Sequence, residues 1–457
     1  MERADVIIIG TGQAGAPLSW RLAREGRRVV VFERGDVGGT CVNEGCTPTK
    51  TFIASAYAAH WARKAPSLGV RTGDVRVDLA AVVARKDRIV GEWRSGVEGG
   101  IAKAGDGLTL VRAHAHFTGP SVVEADGTSY TADVMILNTG ARARVPELPG
   151  IDEVPFLDNR TVMELTELPD HLVVMGGGYI GCEFGQAYRR LGARVTLVQS
   201  HEHLIPREDE DVSGALEDAF RDEGIEMRLG VRAVGVRHLR GGLAVDLDDG
   251  GKVEGTHLLV AVGRVPNTDG LGCAKAGIAL DAHGNVVVDD HYRTSAKGVY
   301  AVGDCTGGPQ FTHTSWDDHR ILFDLLHGEE RRTRADRLVP HASFTDPQVA
   351  RVGLSEREAR ATGVAYEVAV MPFGRIARAY ETAQTAGLVK VLLDPETERI
   401  LGAAVVGAEG AELVSVYQML MMADAPARAI VDAEMIHPAF AEGLQTAVMR
   451  FERYRLS

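Results

Sequence analysis

Two stretches of the chain repeat one pattern at a constant offset of 166 residues, and this repeat restricts the fold more than any other feature. VIIIGTGQAGAPLSWRLAREGRRVVVFER, from Val6 to Arg34, superposes on LVVMGGGYIGCEFGQAYRRLGARVTLVQS, from Leu172 to Ser200. Gly10 falls on Gly176, Gly12 on Gly178, Gly15 on Gly181, Gly26 on Gly192 and Glu33 on Gln199. Each copy reads as an apolar strand, a glycine turn, an amphipathic helix and a second strand ending about 20 residues on. The first glycine allows the tight turn, the second lets backbone approach a pyrophosphate, and the third lets helix and strand pack closely. The helix N-terminus attracts the phosphate charge. The chain's 53 glycines in 457 residues, about 12% against a typical ~7%, have no collagen period and find part of their explanation here.

Glu33, ending the second strand of the first copy, can accept hydrogen bonds from both ribose hydroxyls of an adenosine and would repel a 2′-phosphate. The first unit should bind FAD or NAD. Gln199 holds the equivalent place in the second unit, followed by Ser200 and His201. A neutral amide neither clamps the diol as firmly nor excludes a phosphate, so NADH and NADPH both stay open. Gly181 as third glycine favours NADH; the missing acid favours NADPH, and the balance tilts to NADPH.

A net charge of −13 repels phosphate backbones and anionic membrane surfaces, so no nucleic-acid or membrane partner is expected. MERADVIIIG runs into an apolar strand without a secretory pattern, and no run of 18 apolar residues follows. The expectation is a cytoplasmic protein. Five cysteines are too few for a secreted disulfide framework, and in a reducing compartment a disulfide is catalytic before it is structural.

Two of the five lie in GGTCVNEGCTPTK, Gly38 to Lys50, as Cys41 and Cys46. On an ideal helix they would stand ~7.5 Å apart along the axis and ~140° around it, so a bridge needs a distorted turn. Gly45 supplies that freedom. Zinc would need a second pair of ligands at suitable spacing, and none accompanies this one, so no metal site is expected. Two buried, unrelated thiols are the plain alternative; a redox disulfide just after a dinucleotide-binding unit is the favoured reading, since a flavin can pass it two electrons as a pair.

With these residues in view, the chain resembles the class I pyridine nucleotide–disulfide oxidoreductases, which include dihydrolipoamide dehydrogenase, glutathione reductase and mercuric reductase. The resemblance covers almost the whole chain. It also takes in NTG at Asn138 to Gly140, AVGRVPNT at Ala261 to Thr268, GVYAVGD at Gly298 to Asp304, FTDPQVARVG at Phe344 to Gly353 and HPAFAE at His437 to Glu442. The family implies an α/β chain with two Rossmann-like domains, for FAD and NAD(P), and a C-terminal α+β domain that makes a homodimer. It implies that Gly10, Gly12, Gly15 and Glu33 hold the ADP part of FAD, and Asp304 the ribityl chain. Gly39, Thr40, Ala115, Thr139, Gly140 and Arg264 join that FAD set. Gly176, Gly178, Ile180, Gly181, Gln199 and Gly263 would take NAD(P).

Further roles come with the resemblance. Lys50 would sit near flavin N5 paired with Glu183, and Tyr179 would cover the flavin until the nicotinamide displaces it. Cys46 would form the charge-transfer thiolate, and Cys41 would attack the substrate. His437 of the second subunit, oriented by Glu442, would complete the site. Disulfide exchange needs a thiolate near neutral pH, and an imidazole that takes and returns a proton serves that need. Because His437 precedes Pro438, it is expected at a helix N-cap.

The acceptor stays unnamed. Familiar mercuric reductases end in a vicinal cysteine pair, whereas this chain ends FERYRLS, and Cys182, Cys273 and Cys305 are scattered. Yet CTGGPQFTHTSWDDHRIL, Cys305 to Leu322, is similar to the mercuric-reductase-like branch that includes the bacterial reactive-chlorine-response flavoproteins, with SxxDxRI at Ser315 to Ile321. The expected activity is electron transfer from NAD(P)H through FAD to the Cys41–Cys46 disulfide, then to a small-molecule disulfide or other oxidised acceptor. Alternatives are a mercuric, copper or quinone reductase, a dihydrolipoamide dehydrogenase subunit, or a redox sensor.

Boundaries follow the motifs. The FAD domain is expected over 1–147 and again over 282–335, the NAD(P) domain over 148–281 and the interface domain over 336–457, with linkers at Pro146–Gly150 and Arg331–Pro340. His313, His319 and His341 read as structural histidines. Met419, Met421 and Met422 read as core, Cys182 as a small buried hydrophobe, and the run Glu208 to Asp211 as the start of a solvated helix.

Overall fold

In the computed structural model, which describes residues 1–455, the first repeat unit forms the middle of a five-stranded parallel sheet. Its order is Val299–Ala301, Val134–Leu137, Val6–Ile9, Val29–Phe32 and Leu108–Val111. Val6–Ile9 is buried along its whole length, as a strand covered on both faces requires. The second unit forms a four-stranded parallel sheet in the order Glu226–Leu229, Arg194–Gln199, His171–Met175 and His257–Val260. Parallel neighbours need a crossover, supplied by the helices Gly15–Arg24 and Tyr179–Leu191 that follow the glycine turns. A Cβ on Gly15 would lie 2.0 Å from the Gly10 carbonyl oxygen, and one on Gly181 would lie 1.9 Å from that of Gly176. The third glycine of each turn is therefore a packing residue, as expected.

The strand Val299–Ala301 comes after the whole second unit, yet pairs with Val134–Leu137 of the first sheet. The last quarter of the described chain builds a five-stranded antiparallel sheet, ordered His341–Ser343, Gln348–Gly353, Ile400–Gly407, Leu388–Leu393 and Glu367–Pro372. The helix Gly410–Met422 packs on it, and Leu388–Leu393 is buried throughout. The architecture is α/β with two parallel dinucleotide-type sheets and a C-terminal α+β unit. Among the described residues no helix is long and apolar enough to cross a membrane.

The helix Cys46–Lys64 is anchored by Phe52, which is fully buried and packs on Tyr188 (ring centroids 5.3 Å) and Phe184 (6.4 Å) of the helix Tyr179–Leu191. Emptying such a position costs about 3–5 kcal/mol, so the cysteine segment is held firmly to the second unit.

Three expectations fail. His437 is no N-cap: the His437–Pro438 bond is cis, and the helix starts five residues later at Glu442 with Ala441 as cap. Phe440, stacked on Phe373 at 5.7 Å, pins the intervening turn to the core. Met421 packs in the core, but Met419 and Met422 are 55% and 61% exposed because they lie on the face of Gly410–Met422 turned away from the sheet. The acidic run begins a helix at Glu210, but only Glu210 and Asp211 of it face solvent. Glu208 is buried, and Asp209 and Asp211 both bond the buried Lys390 (3.0 and 2.9 Å) of the C-terminal sheet.

Candidate active site

Both glycine turns open on one continuous cavity of about 2310 Å³, far above the roughly 300–1,000 Å³ that one small ligand needs. Of the residues assigned to the FAD, NAD(P) and catalytic sets from sequence, all but Gly15, Gly181, His437 and Glu442 line it. The first two stand behind the turns, packing helix on strand.

The turns have room for phosphate. A Cβ added to Gly178 would meet no atom within 4 Å, so the turn faces open space at this glycine. Gly12 answers a different need, because a Cβ there would lie 2.7 Å from Asn138 Oδ1. That oxygen accepts from the Gly15 N–H (2.9 Å), while Asn138 Nδ2 donates to the Val302 carbonyl (3.1 Å). Asn138 thus fastens the first turn to the returning strand, a role the motif NTG did not disclose. Glu33 ends its strand with one carboxylate oxygen accepting from the Thr11 N–H (3.0 Å) and hydroxyl (2.6 Å) and the other from the Gly35 N–H (2.9 Å). Asp304 accepts from Arg264 at 2.5 Å on the cavity wall.

The cysteine motif is two helices with a break. Gly39–Asn43 ends before Glu44 and Gly45, and Cys46–Lys64 starts at the second cysteine. Gly45 has no room for a side chain, since a Cβ would lie 2.8 Å from the Thr40 carbonyl oxygen. Both sulfurs are free thiols here. The Cys46 Sγ lies 3.1 Å from Thr312 Oγ1. A hydrogen bond from the Cys41 thiol, with help from Thr312 and the Lys50 charge, lowers Cys46 to about 6 against the opposing effect of burial. The same sulfur–sulfur hydrogen bond, added to burial, pushes Cys41 far up. One proton is therefore shared by the pair: Cys46 holds the thiolate and Cys41 the thiol.

Lys50 Nζ meets Glu183 Oε2 at 2.5 Å, and the other oxygen of this buried carboxylate accepts from the Phe344 N–H (2.8 Å). Lys50 also lies 4.8 Å from the centre of the Phe344 ring. Cys182 is fully buried, as expected of a small hydrophobe. Tyr179 stands at the start of its helix with its ring against Phe311 and His341. Gln199, in contrast to Glu33, spends its amide on its own loop, accepting from the Ser200 N–H (3.0 Å) and donating to the His203 carbonyl (3.4 Å). His437 Nδ1 bonds Glu442 Oε2 at 2.8 Å, but neither residue lines the cavity, and the imidazole is 71% exposed. Among the described residues no three His, Cys, Asp or Glu side chains are grouped as a metal site would need.

Thr312, Phe344, Glu208 and His341 were not singled out for the site from sequence. Thr312 and Phe344 stood inside quoted motifs without a role of their own, and the contacts Thr312–Cys46, Phe344–Glu183 and His341–Glu208 each join positions more than 100 residues apart.

A cavity fed by two dinucleotide-binding turns, with a thiol pair where they meet, defines a two-nucleotide thiol–disulfide oxidoreductase. The chain matches the pyridine nucleotide-disulphide oxidoreductase model over residues 4–318 and the dimerisation domain of the same group over residues 339–448. It belongs to that family. It is 32% identical to the probable pyridine nucleotide-disulfide oxidoreductase RclA of Escherichia coli, covering 97% of this chain and 98% of the relative. It is 35% identical to dihydrolipoyl dehydrogenase of Thermus scotoductus (98% and 97%) and 31% identical to mercuric reductase of Staphylococcus aureus (98% and 82%). The fold matches the Cu(II) complex of the HOCl-induced flavoprotein disulfide reductase RclA from Escherichia coli with a TM-score of 0.90 at 32% identity, covering 98% of this chain and 100% of that one. The protein is a flavoprotein oxidoreductase that uses FAD and NAD(P)H and carries the family's dimerisation domain.

Proposed function

We propose that this protein reduces a small-molecule disulfide or similarly oxidised acceptor at the Cys41–Cys46 pair, with NADPH as the preferred donor. The observation that carries the reading is the unequal thiol pair, one sulfur poised as thiolate and the other as thiol, at the junction of the two nucleotide lobes. Bound FAD would supply two-electron transfer between NAD(P)H and a disulfide.

The chain's own residues do the rest. Gly10, Glu33 and Asp304 seat FAD, with Gly39, Thr40, Ala115, Thr139, Gly140 and Arg264 around it. Gly176, Gly178, Ile180 and Gly263 seat the coenzyme, with Gln199 at its ribose. Lys50, fixed by Glu183, presents a cation beside Cys46 and steadies the thiolate. Cys41 attacks the acceptor once its proton is taken by His437 of the second subunit, oriented by Glu442. The exposed His437–Glu442 pair outside its own chain's cavity suits a residue that serves the neighbouring site. The same reading divides the chain into a FAD domain (1–147 and 282–335), a NAD(P) domain (148–281) and an interface domain (336–457). The return of Val299–Ala301 to the first sheet supports that division.

Reduction of a thiophilic metal ion at the same pair is a second reading, favoured by the relatives named mercuric reductase and by the copper complex of RclA. Steady-state assay of the holoenzyme with disulfides, quinones, Hg(II) and Cu(II), each with NADH and NADPH, decides between them. Disulfide turnover that disappears in Cys41→Ser and Cys46→Ser supports the first; turnover of metal ions alone refutes it.

A further inference from the structure

Tyr179 opens the helix Tyr179–Leu191 on the second glycine turn, and its ring stands in the coenzyme lobe beside Phe311 (ring centroids 6.4 Å) and His341 (6.1 Å). Its hydroxyl donates to Glu208 Oε1 at 2.8 Å. Glu208 is 3% exposed and has two further donors: His341 Nε2 on the same oxygen (2.9 Å) and Arg351 Nε on the other (2.9 Å). A buried carboxylate is costly unless paired, and these three donors meet that cost. Burial alone would raise the Glu208 carboxyl, but the His341 hydrogen bond and the Arg351 charge hold it below its ordinary value, so it accepts as an anion.

Two features show that this placement is built in. Ile205, three residues earlier, is β-branched and yet has φ +41°, a left-handed conformation that such a residue rarely adopts. Its N–H donates to the Gly177 carbonyl in the glycine turn (2.7 Å), and its carbonyl accepts from the Glu208 N–H (2.9 Å). The bent loop thus sets Glu208 directly against the turn that carries Tyr179. On the other side, Arg351 also donates to the Gly353 carbonyl (2.9 Å) and to Glu358 (2.6 Å), which closes the capping box of the helix Glu356–Thr362.

We propose that Glu208 is a positioning residue for Tyr179: it latches the phenol within the nicotinamide lobe and ties its position to the C-terminal sheet through His341 and Arg351. The inference rests on the proposed function and on the role the family resemblance gives Tyr179, which is to yield its place to the nicotinamide. On that reading the coenzyme must break the Tyr179–Glu208 bond, so part of its binding free energy is spent there.

The test uses the FAD-loaded dimer. Calorimetric Kd values for NADP+ and NAD+, together with KM and kcat for NADPH, are compared among wild type, Tyr179→Phe, Glu208→Gln and the double variant. A hydrogen bond to a charged group is worth enough to tighten the Kd roughly tenfold in Tyr179→Phe. Glu208→Gln should shift in the same direction, KM should change more than kcat, and the double variant should match Tyr179→Phe alone. Unchanged Kd in Tyr179→Phe, or effects that multiply in the double variant, overturns the latch. Should Glu208→Gln fail to fold, His341→Gln, which removes one donor that orients Glu208, replaces it in the cycle under the same criteria. A wild type that oxidises no NAD(P)H overturns the functional reading instead, whereas normal wild-type turnover with uncoupled variants overturns only the latch.

Discussion

Cys46 Sγ and Thr312 Oγ1 lie 3.1 Å apart across 266 positions of sequence. Thr312 begins the helix Thr312–Leu326, and Cys46 begins Cys46–Lys64. Two helix N-termini therefore converge on one sulfur, and the positive end of a helix dipole favours an anion. They add to the Cys41 thiol, the Thr312 hydroxyl and the Lys50 charge, which lower Cys46 to about 6.

That convergence yields a pH prediction. In the two-electron-reduced enzyme Cys46 is thiol below about 6 and thiolate above it, so the long-wavelength absorbance of a thiolate beside oxidised flavin should fade as the pH drops through that value. Thr312→Ala removes one lowering contact and should move the midpoint up by about one pH unit, while Thr312→Ser should restore it. A midpoint that stays in place in Thr312→Ala would show that the hydroxyl contributes nothing to the thiolate.

The division of labour between subunits can be read from hybrids. His437→Ala should slow acceptor reduction by roughly 10²–10⁴-fold while leaving flavin reduction by NADPH at its wild-type rate. Mixed dimers of Cys41→Ser and His437→Ala chains should regain turnover, because one of their two sites then combines an intact Cys41 with an intact His437. Hybrids as inactive as their parents would place the base elsewhere.

Much of this fold was legible in the sequence because its signals are local. A glycine turn between two apolar strands states its own geometry, and the Gly10–Gly15 and Gly176–Gly181 turns form as read. The cysteine motif likewise carries its own break at Gly45. What was misread depends on distant partners. The run Glu208 to Asp211 resembles any solvated helix start until Lys390, Arg351 and His341 arrive from the C-terminal sheet. Met419 and Met422 look like core in a periodic apolar stretch, but a one-sided sheet contact leaves them outside. The histidine of HPAFAE was placed by a rule for helix starts, and the turn held by Phe440 overrode it.

Coenzyme choice gives the last prediction. Beyond Gln199 the lobe is lined by Ser200, His201, Arg207 and Arg232, and neither guanidinium has a side-chain partner among the described residues. The first unit presents the opposite case, with the Glu33 carboxylate at the matching place. A 2′-phosphate finds two cations and no anion at the end of its strand, so kcat/KM should be higher with NADPH than with NADH. Gln199→Glu restores the repulsion and should lower kcat/KM for NADPH by about tenfold or more with little loss for NADH. Arg232→Ala should weaken NADPH alone, and the loss should shrink as salt is raised, since an exposed charge contact is screened. Equal kcat/KM values for the two coenzymes in the wild type, or a Gln199→Glu variant that treats both alike, would mean that the ribose end does not select.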